Sequence, residues 1–105
     1  MPQIADTPPA PYYAVIFTSL RTKLTDGYDA MSQKMLELAS EQPGFLGVET
    51  AREVVGITVS YWTDLDSIKN WKAVADHREA QKLGREQWYA NYKVRISKVE
   101  RDYSF

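Results

Sequence analysis

The sequence has no cysteine, which excludes disulfide bonds, thiolate metal sites, iron–sulfur clusters and cysteine nucleophiles. It also has little excess charge, because 13 Lys and Arg against 14 Asp and Glu give a formal net charge of -1. Nucleic acid and anionic membranes attract proteins with a basic surplus, so we expect neither as a partner. Apolar runs are short as well, and none approaches the roughly twenty residues that a membrane-spanning helix needs.

The N-terminal segment, MPQIADTPPAP, lacks the charged and apolar regions of a signal peptide. The sequence therefore predicts a cytoplasmic protein. Four of the five prolines fall in this segment, which has little to bury, so we predict a flexible arm over residues 1–11. A single domain is predicted over residues 12–105, of a size at which a partner subunit adds useful buried surface.

The order of hydrophobic patterns indicates the fold class. Residues 12–20, YYAVIFTSL, are apolar on both alternating faces and predict a strand. An amphipathic helix over 28–40, an antiparallel hairpin over 45–63, a helix pair from residue 63 and a final strand follow. This order is typical of ferredoxin-like α+β domains, in which a split β-α-β antiparallel sheet has its helices on one face.

Three local features are predicted along the second half of the chain. Thr63 and Asp66 have the spacing of a capping box at a helix start. A second cap signal at Asp76 predicts a new short helix immediately after it. The last segment changes the phase of its alternation, which predicts a β-bulge or a bend near Ser97 and Lys98.

The doubly apolar first strand also suggests an oligomer. Helices on one face of the sheet leave the other apolar face uncovered, and such a face is usually an association surface. A second copy of the sheet is the simplest cover, which predicts a symmetric homodimer. Trp88 and Tyr89, just before the last strand, are predicted to seal an interface of this kind, and contact with a ligand is the less favoured alternative.

Three segments of the sequence match a known family: EQPGFLGVE at 41–49, SYWTDLDSIKNWK at 60–72 and REQWYANYKVRISKVERDYSF at 85–105. Together they resemble the antibiotic biosynthesis monooxygenase family. The resemblance implies a dimeric α+β barrel, in which the two sheets face each other and each protomer has a cavity between its sheet and its helices. Some members oxidise polycyclic aromatic substrates with oxygen and no cofactor, others degrade haem, and others act on small quinols or semialdehyde-like metabolites.

Cofactor-free oxygenation requires a base and donors to the oxyanion that forms. His77 is the predicted catalytic base, because it is the only histidine and its unperturbed pKa suits proton transfer near neutral pH. Its place at a helix start would favour the neutral imidazole. A lone histidine among charged neighbours is more often solvated or capping, and that alternative stays open.

A second set of residues is predicted to contact the substrate. Three of them share a strand face that mixes hydroxyls with an indole, which is unusual for pure core. The role of Trp71 comes from the resemblance, since its helical spacing with Leu65 and Ile68 is also explained by core packing. The predicted substrate-binding residues are Trp71, Trp62, Ser60, Thr58 and Phe17.

Haem chemistry fits the sequence less well. The haem-degrading members use an Asn on the first strand, a Trp on the later helix and a His about ten residues beyond that Trp. Here the first strand has no Asn, and His77 follows Trp71 by only six residues. We therefore predict no cofactor, with haem possible but disfavoured. The leading hypothesis is a cofactor-independent monooxygenase of a small aromatic or quinol-like substrate, and the alternative is a non-catalytic module that binds a hydrophobic ligand or haem.

Overall fold

The computed structural model describes residues 4–23, 27–76 and 88–105. These ranges contain four strands and two helices, which confirms the predicted α+β class. The short helix predicted after Asp76 lies outside the described residues. The elements in chain order are β1 (Tyr12–Arg21), α1 (Tyr28–Ser40), β2 (Phe45–Arg52), β3 (Val55–Trp62), α2 (Leu65–Asp76) and β4 (Tyr89–Val99).

The strands form one sheet in the order β2-β3-β1-β4, and every neighbouring pair is antiparallel. β1 and β2 run in the same direction with β3 between them, which is the split β-α-β arrangement. Both helices lie against the same face of the sheet, since residues of α1 and α2 enclose a pocket with it. The predicted ferredoxin-like fold is thus confirmed.

Alternation along each strand divides the sheet into two faces. The helix face, toward α1 and α2, carries Val15, Phe17 and Ser19 of β1. The open face, on the opposite side, carries Ala14 and Ile16. In the cross-strand register, residues of one face pair with residues of the same face on β3 and β4. A side chain's face therefore follows directly from its place in the register.

The last strand differs from the sequence prediction. β4 pairs with β1 without interruption over 91–99, and the register shift lies at the other end, between Leu20 and Arg21. The predicted bulge near Ser97 and Lys98 is therefore wrong. The alternation changes phase there because the strand ends at Val99 and residues 100–105 form no strand.

Asp64 caps the start of α2. Its Oδ1 accepts a hydrogen bond from the backbone N–H of Ser67 at 2.7 Å, and this bond lowers the pKa of the Asp64 carboxyl. The predicted capping box of Thr63 with Asp66 is wrong by one residue. Thr63 instead joins the helix start to the turn before β2, because its backbone N–H donates to the carbonyl of Gly44 at 2.8 Å.

The N-terminal arm contacts the open face near β2. The N–H of Ala5 donates to one carboxylate oxygen of Glu49 at 3.0 Å, and the Tyr61 hydroxyl donates to the other at 2.5 Å. These bonds place part of the arm against the sheet. The mobility of the arm stays a prediction.

Tyr12 joins the two ends of the chain. Its hydroxyl accepts a hydrogen bond from the hydroxyl of Thr7 at 3.0 Å and donates to the carboxylate of Asp102. The ring packs edge-on against Tyr61 at 5.8 Å between centroids. Tyr12 and Ala14 are consequently buried, although both belong to the open face. We call the set of Thr7, Tyr12 and Asp102 the terminal clasp.

Farther from the clasp, the open face is exposed. Leu20, Val55 and Ile57 occupy its other end and are 39%, 46% and 45% exposed. This is the uncovered apolar surface that the first strand predicts. Neither α1 nor α2 has the length and hydropathy to span a bilayer, and no other described segment forms such a helix.

Candidate functional site

A pocket of about 750 Å³ lies between the helix face and the two helices. Small-molecule sites commonly have volumes of roughly 300–1,000 Å³, so this pocket has room for a ring system. Met31 and Met35 of α1 and Ile68 of α2 form much of its apolar roof. The strands form its floor, which changes in character from one end to the other.

A tryptophan forms one end of the pocket, and a second tryptophan supports it from behind. The indole of Trp71, on α2, lines the pocket and stacks on Trp62, with centroids 6.3 Å apart and ring planes 21° apart. Trp62 is fully buried, and its Nε1–H donates to the hydroxyl of Ser60 at 2.9 Å. Phe45 packs edge-on against Trp62 from another side. Trp62 thus lies behind Trp71 and fixes the orientation of the wall.

Hydroxyl groups line the middle of the floor. Thr58 and Ser60 come from β3, and the hydroxyls of Thr58 and Thr50 are hydrogen-bonded at 2.8 Å. Phe17, on β1, pairs with Thr58 of β3 in the register of the sheet. Its ring stacks on the ring of Tyr92, on β4, with centroids 5.4 Å apart. The floor therefore combines flat apolar contact with polar atoms that can orient a ligand.

Phenols form the other end. Tyr89 donates to the hydroxyl of Tyr28 across 3.4 Å, a long and weak hydrogen bond. Burial is the largest cause that raises the pKa of Tyr89, and this hydrogen bond is the next. The positive charges of Arg52 and Arg21 lower the pKa, but by less. The guanidinium of Arg21 covers the Tyr28 ring at 3.5 Å from its centroid. Tyr89 therefore keeps its proton at neutral pH and can act as a hydrogen-bond donor.

Arg52 reaches into this same end of the pocket. It belongs to β2, yet its Nη2 donates to the hydroxyl of Ser19 on β1, across the intervening strand β3. Gly56 of β3 makes this possible, because a Cβ there would lie 2.1 Å from Nη2. Ser19 is buried and only 3% exposed. Arg52 was not predicted as a site residue, and the signal in the sequence that points to it is its place across a hairpin from a glycine.

The structure brings most of the predicted site residues together. His77 lies outside the described residues, although Asp76, which precedes it, lines the pocket and forms an ion pair with Lys72 at 2.6 Å. Trp88 and Tyr89, predicted at a dimer interface, line the pocket as well. The functional roles stay predictions. Of the predicted substrate-binding residues, Phe17, Thr58, Ser60 and Trp71 line the pocket, and Trp62 lies behind Trp71.

The described part of the pocket contains few groups that could hold a metal ion. Across 4–23, 27–76 and 88–105, no group of three or more His, Cys, Asp or Glu side chains has the proximity that a metal site needs. What the pocket offers instead is aromatic surface, hydroxyls and positive charge. Such a set can bind a flat ring and stabilise a negative oxygen on it.

Comparison with solved structures identifies the same fold. SnoaB, a cofactor-independent oxygenase from Streptomyces nogalater, matches with a TM-score of 0.74 and 13% identity, covering 89% of this chain and 97% of SnoaB. A candidate antibiotic biosynthesis monooxygenase from Nitrosomonas europaea matches with a TM-score of 0.64 and 13% identity, covering 90% of this chain and 94% of that chain. At these identities the likeness concerns the fold. The predicted resemblance to antibiotic biosynthesis monooxygenases is thereby confirmed.

A curated relative is much more similar in sequence. The uncharacterised protein YqjZ of Bacillus subtilis is 46% identical over 104 residues, covering 97% of this chain and 91% of YqjZ. The chain belongs to the YqjZ family and has the antibiotic biosynthesis monooxygenase fold. No family model matches the sequence.

Proposed function

We propose that this protein is a cofactor-independent monooxygenase that acts on a small aromatic or quinol-like substrate in the pocket. The observation that carries the proposal is the pocket itself, which combines the Trp71 wall, the Phe17 and hydroxyl floor and a phenol end. The fold adds support, because SnoaB is described as a cofactor-independent oxygenase. The substrate class follows from the flat apolar walls and the few polar atoms between them.

The proposed chemistry requires no external reductant. A base removes a proton from an activated ring carbon, and the carbanion passes an electron to molecular oxygen. The two radicals combine to a peroxide, whose collapse turns the CH₂ group into a carbonyl and releases water. One oxygen atom thus ends in the product and the other in water, and the substrate supplies all the electrons.

In this proposal the protein binds the ring, removes the proton and stabilises the oxyanion. His77 is the proposed base, supported by the position of Asp76 in the pocket lining immediately before it in the chain. Trp71 and Phe17 contact the ring, and Tyr89 turns its hydroxyl from Tyr28 to donate to the developing oxyanion. Trp62 acts as a positioning residue behind Trp71. The hydroxyls of Thr58 and Ser60 orient the polar substituents of the ring.

We also propose that the open face forms a homodimer interface, giving a dimeric α+β barrel. Its support is the exposure of three apolar side chains at one end of this face, Leu20, Val55 and Ile57. Large exposed apolar surfaces of this kind are rare on monomers. A second copy related by a twofold axis would cover the open face of the first copy with its own open face.

A non-catalytic module that binds a hydrophobic ligand or haem is the second candidate. One observation favours it: the carboxylate of Asp76, the only one among the described lining residues, is already paired with Lys72. Native mass spectrometry of freshly purified protein would detect a retained ligand under this alternative. A haem-binding module would shift the Soret band of added haemin.

Oxygen uptake over a panel of anthrones and hydroquinones tests the oxygenase proposal directly. Wild-type protein should consume oxygen with at least one member and place one labelled atom from ¹⁸O₂ in the product. His77→Ala should lower turnover by about a hundredfold or more, the usual contribution of a positioned base. Arg101→Ala, on the exposed tail, is the matched control and should leave turnover unchanged. Wild-type protein without turnover would contradict the proposal, and full turnover in His77→Ala would contradict the base assignment.

A further inference from the structure

The pocket is mostly apolar, yet a cation lines it. Arg52 contributes its guanidinium to the phenol end, beside Ser19 and near enough to Tyr89 for its charge to act on that phenol. A guanidinium carries five N–H donors, and the bond to Ser19 uses one of them. Among the described residues, none other accepts a hydrogen bond from this guanidinium, so its remaining donors can serve a ligand.

The sheet is shaped to hold this cation in place. Arg52, Gly56 and Ser19 form one cross-strand row over β2, β3 and β1. Because Gly56 has no side chain, the guanidinium lies directly over β3, with its Cζ 2.2 Å from where a Cβ would stand. The buried hydroxyl of Ser19 then fixes its far end. The charge is therefore presented at a defined position on the pocket floor.

This cation also has no carboxylate partner among residues 4–23, 27–76 and 88–105. The ion pair of the pocket lining joins Lys72 to Asp76, on α2, whereas the hydrogen bond of Arg52 goes to a neutral hydroxyl. A half-buried charge beside apolar walls is costly unless an opposite charge satisfies it. The arrangement therefore favours an anionic group on whatever fills the pocket.

We propose that the ligand of this pocket is an aromatic carboxylate, whose carboxylate is bound by the Arg52 guanidinium at the Ser19 and Tyr89 end while its ring lies toward Trp71. The proposal rests on the proposed function, in that it takes the pocket as the substrate site, and it narrows the substrate to aromatic acids. A carboxylate is the preferred planar partner of a guanidinium fork, which it can engage through two parallel hydrogen bonds.

Two probes of nearly equal shape separate charge from ring binding: 2-naphthoate and its neutral counterpart 2-naphthamide. Isothermal titration calorimetry of each against the full chain measures the preference. Wild-type protein should bind 2-naphthoate at least about tenfold more tightly, the ratio expected of one charge-assisted hydrogen bond. Arg52→Gln keeps an amide donor but loses the charge, so it should remove this preference and leave the 2-naphthamide affinity unchanged.

Two further variants separate the effect of the position of the Arg52 guanidinium from the effect of the protein's net charge. Gly56→Ala keeps Arg52 but places a methyl group where the guanidinium lies, so it should also weaken 2-naphthoate binding selectively. Arg101→Gln removes an equal charge from the exposed tail and should change neither affinity. Circular dichroism verifies that each variant is folded, and Arg52→Gln decides the result if Gly56→Ala is not.

Equal affinities of wild-type protein for the two probes, or a preference that survives in Arg52→Gln, would overturn the assignment of Arg52 while leaving a ring-binding pocket. Failure of both probes to bind would overturn the ring-binding pocket itself, and with it the proposed function. The two failures are therefore distinguishable in a single set of titrations.

Discussion

The indoles of Trp71 and Trp62 are stacked, with centroids 6.3 Å apart, but only Trp71 lines the pocket. Trp62 is fully buried beneath it and hydrogen-bonded to Ser60. One tryptophan thus belongs to the surface of the site and the other to its support. Substitutions at the two positions should affect different properties.

Trp62→Ala should lower the free energy of unfolding by about 3–5 kcal/mol, the usual cost of emptying a large aromatic core position. Trp71→Ala should cost less, because that side chain is only half-buried, but it should abolish 2-naphthamide binding. Urea denaturation and calorimetry measure the two effects. Equal losses of stability in both variants would contradict this division of roles.

The backbone conformation and close packing of Gly44 explain why glycine occupies the middle of the PGF segment. Its φ is +87°, and a Cβ there would lie 2.1 Å from the hydroxyl oxygen of Ser67 at the start of α2. Gly44→Ala should therefore destabilise the protein by about 2–4 kcal/mol, through strain at positive φ and overpacking together. Gly47→Ala is the matched control and should cost less, since among the described residues its new methyl group meets Ala5 of the arm alone. Thermal denaturation should rank the two variants in this order.

The raised pKa of Tyr61 predicts that the protein loses stability at alkaline pH. Burial, followed by the hydrogen bond to Glu49, raises its pKa to about 12 from the ordinary 10.0. Between those values the unfolded chain releases the proton and the folded chain keeps it, so the free energy of unfolding falls as the pH rises. The stabilisation is fully present below pH 10 and is lost as the pH passes through about 12.

Urea denaturation of wild-type protein and Tyr61→Phe below and above pH 10 measures this effect. The variant should lose less stability over the alkaline range, because it lacks the phenol that titrates late. Tyr103→Phe, at a position 96% exposed, should behave as wild type. An identical alkaline loss in Tyr61→Phe and wild type would contradict the assignment.

Two adjacent valines test the proposed dimer. Val55 begins β3 on the open face, whereas Val54 lies in the hairpin turn and is 83% exposed. Val55→Glu places a charge in the proposed interface and should give a monomer in light scattering. Val54→Glu, with the same change one residue away, should leave the dimer intact. Wild-type protein that is monomeric at micromolar concentration would contradict the interface altogether.

The order of elements and the two faces of β1 could be predicted from the sequence, because periodicity reports directly on burial. The exact ends of helices and strands were harder to predict. Asp64 and Thr63 are both good helix caps, and it is the hydrogen bond from the backbone N–H of Ser67 to the Asp64 carboxylate that identifies Asp64 as the cap of α2. The phase change after Ser97 similarly marks the end of a strand, which alternation alone does not distinguish from a bulge.

The floor of the pocket was predicted better than its phenol end. Thr58 and Ser60 share one face of β3 by simple alternation, so the sequence places them together, and Phe17 joins them through the pairing of β1 with β3. Arg52 and Ser19 are 33 residues apart and meet only through the register of three strands. A charged residue near a turn is usually solvated, and nothing local distinguishes this one until Gly56 is placed beneath it.

The terminal clasp brings the segment before β1 close to the segment after β4. Thr7 and Asp102 bond to the same phenolic oxygen, so the segments that precede β1 and follow β4 run side by side. A short linker could join them there without stretching the sheet, and new ends could be opened at the exposed Val54 of the hairpin turn. The fold would then be circularly permuted with its four-stranded register intact, and β3 would become the first strand.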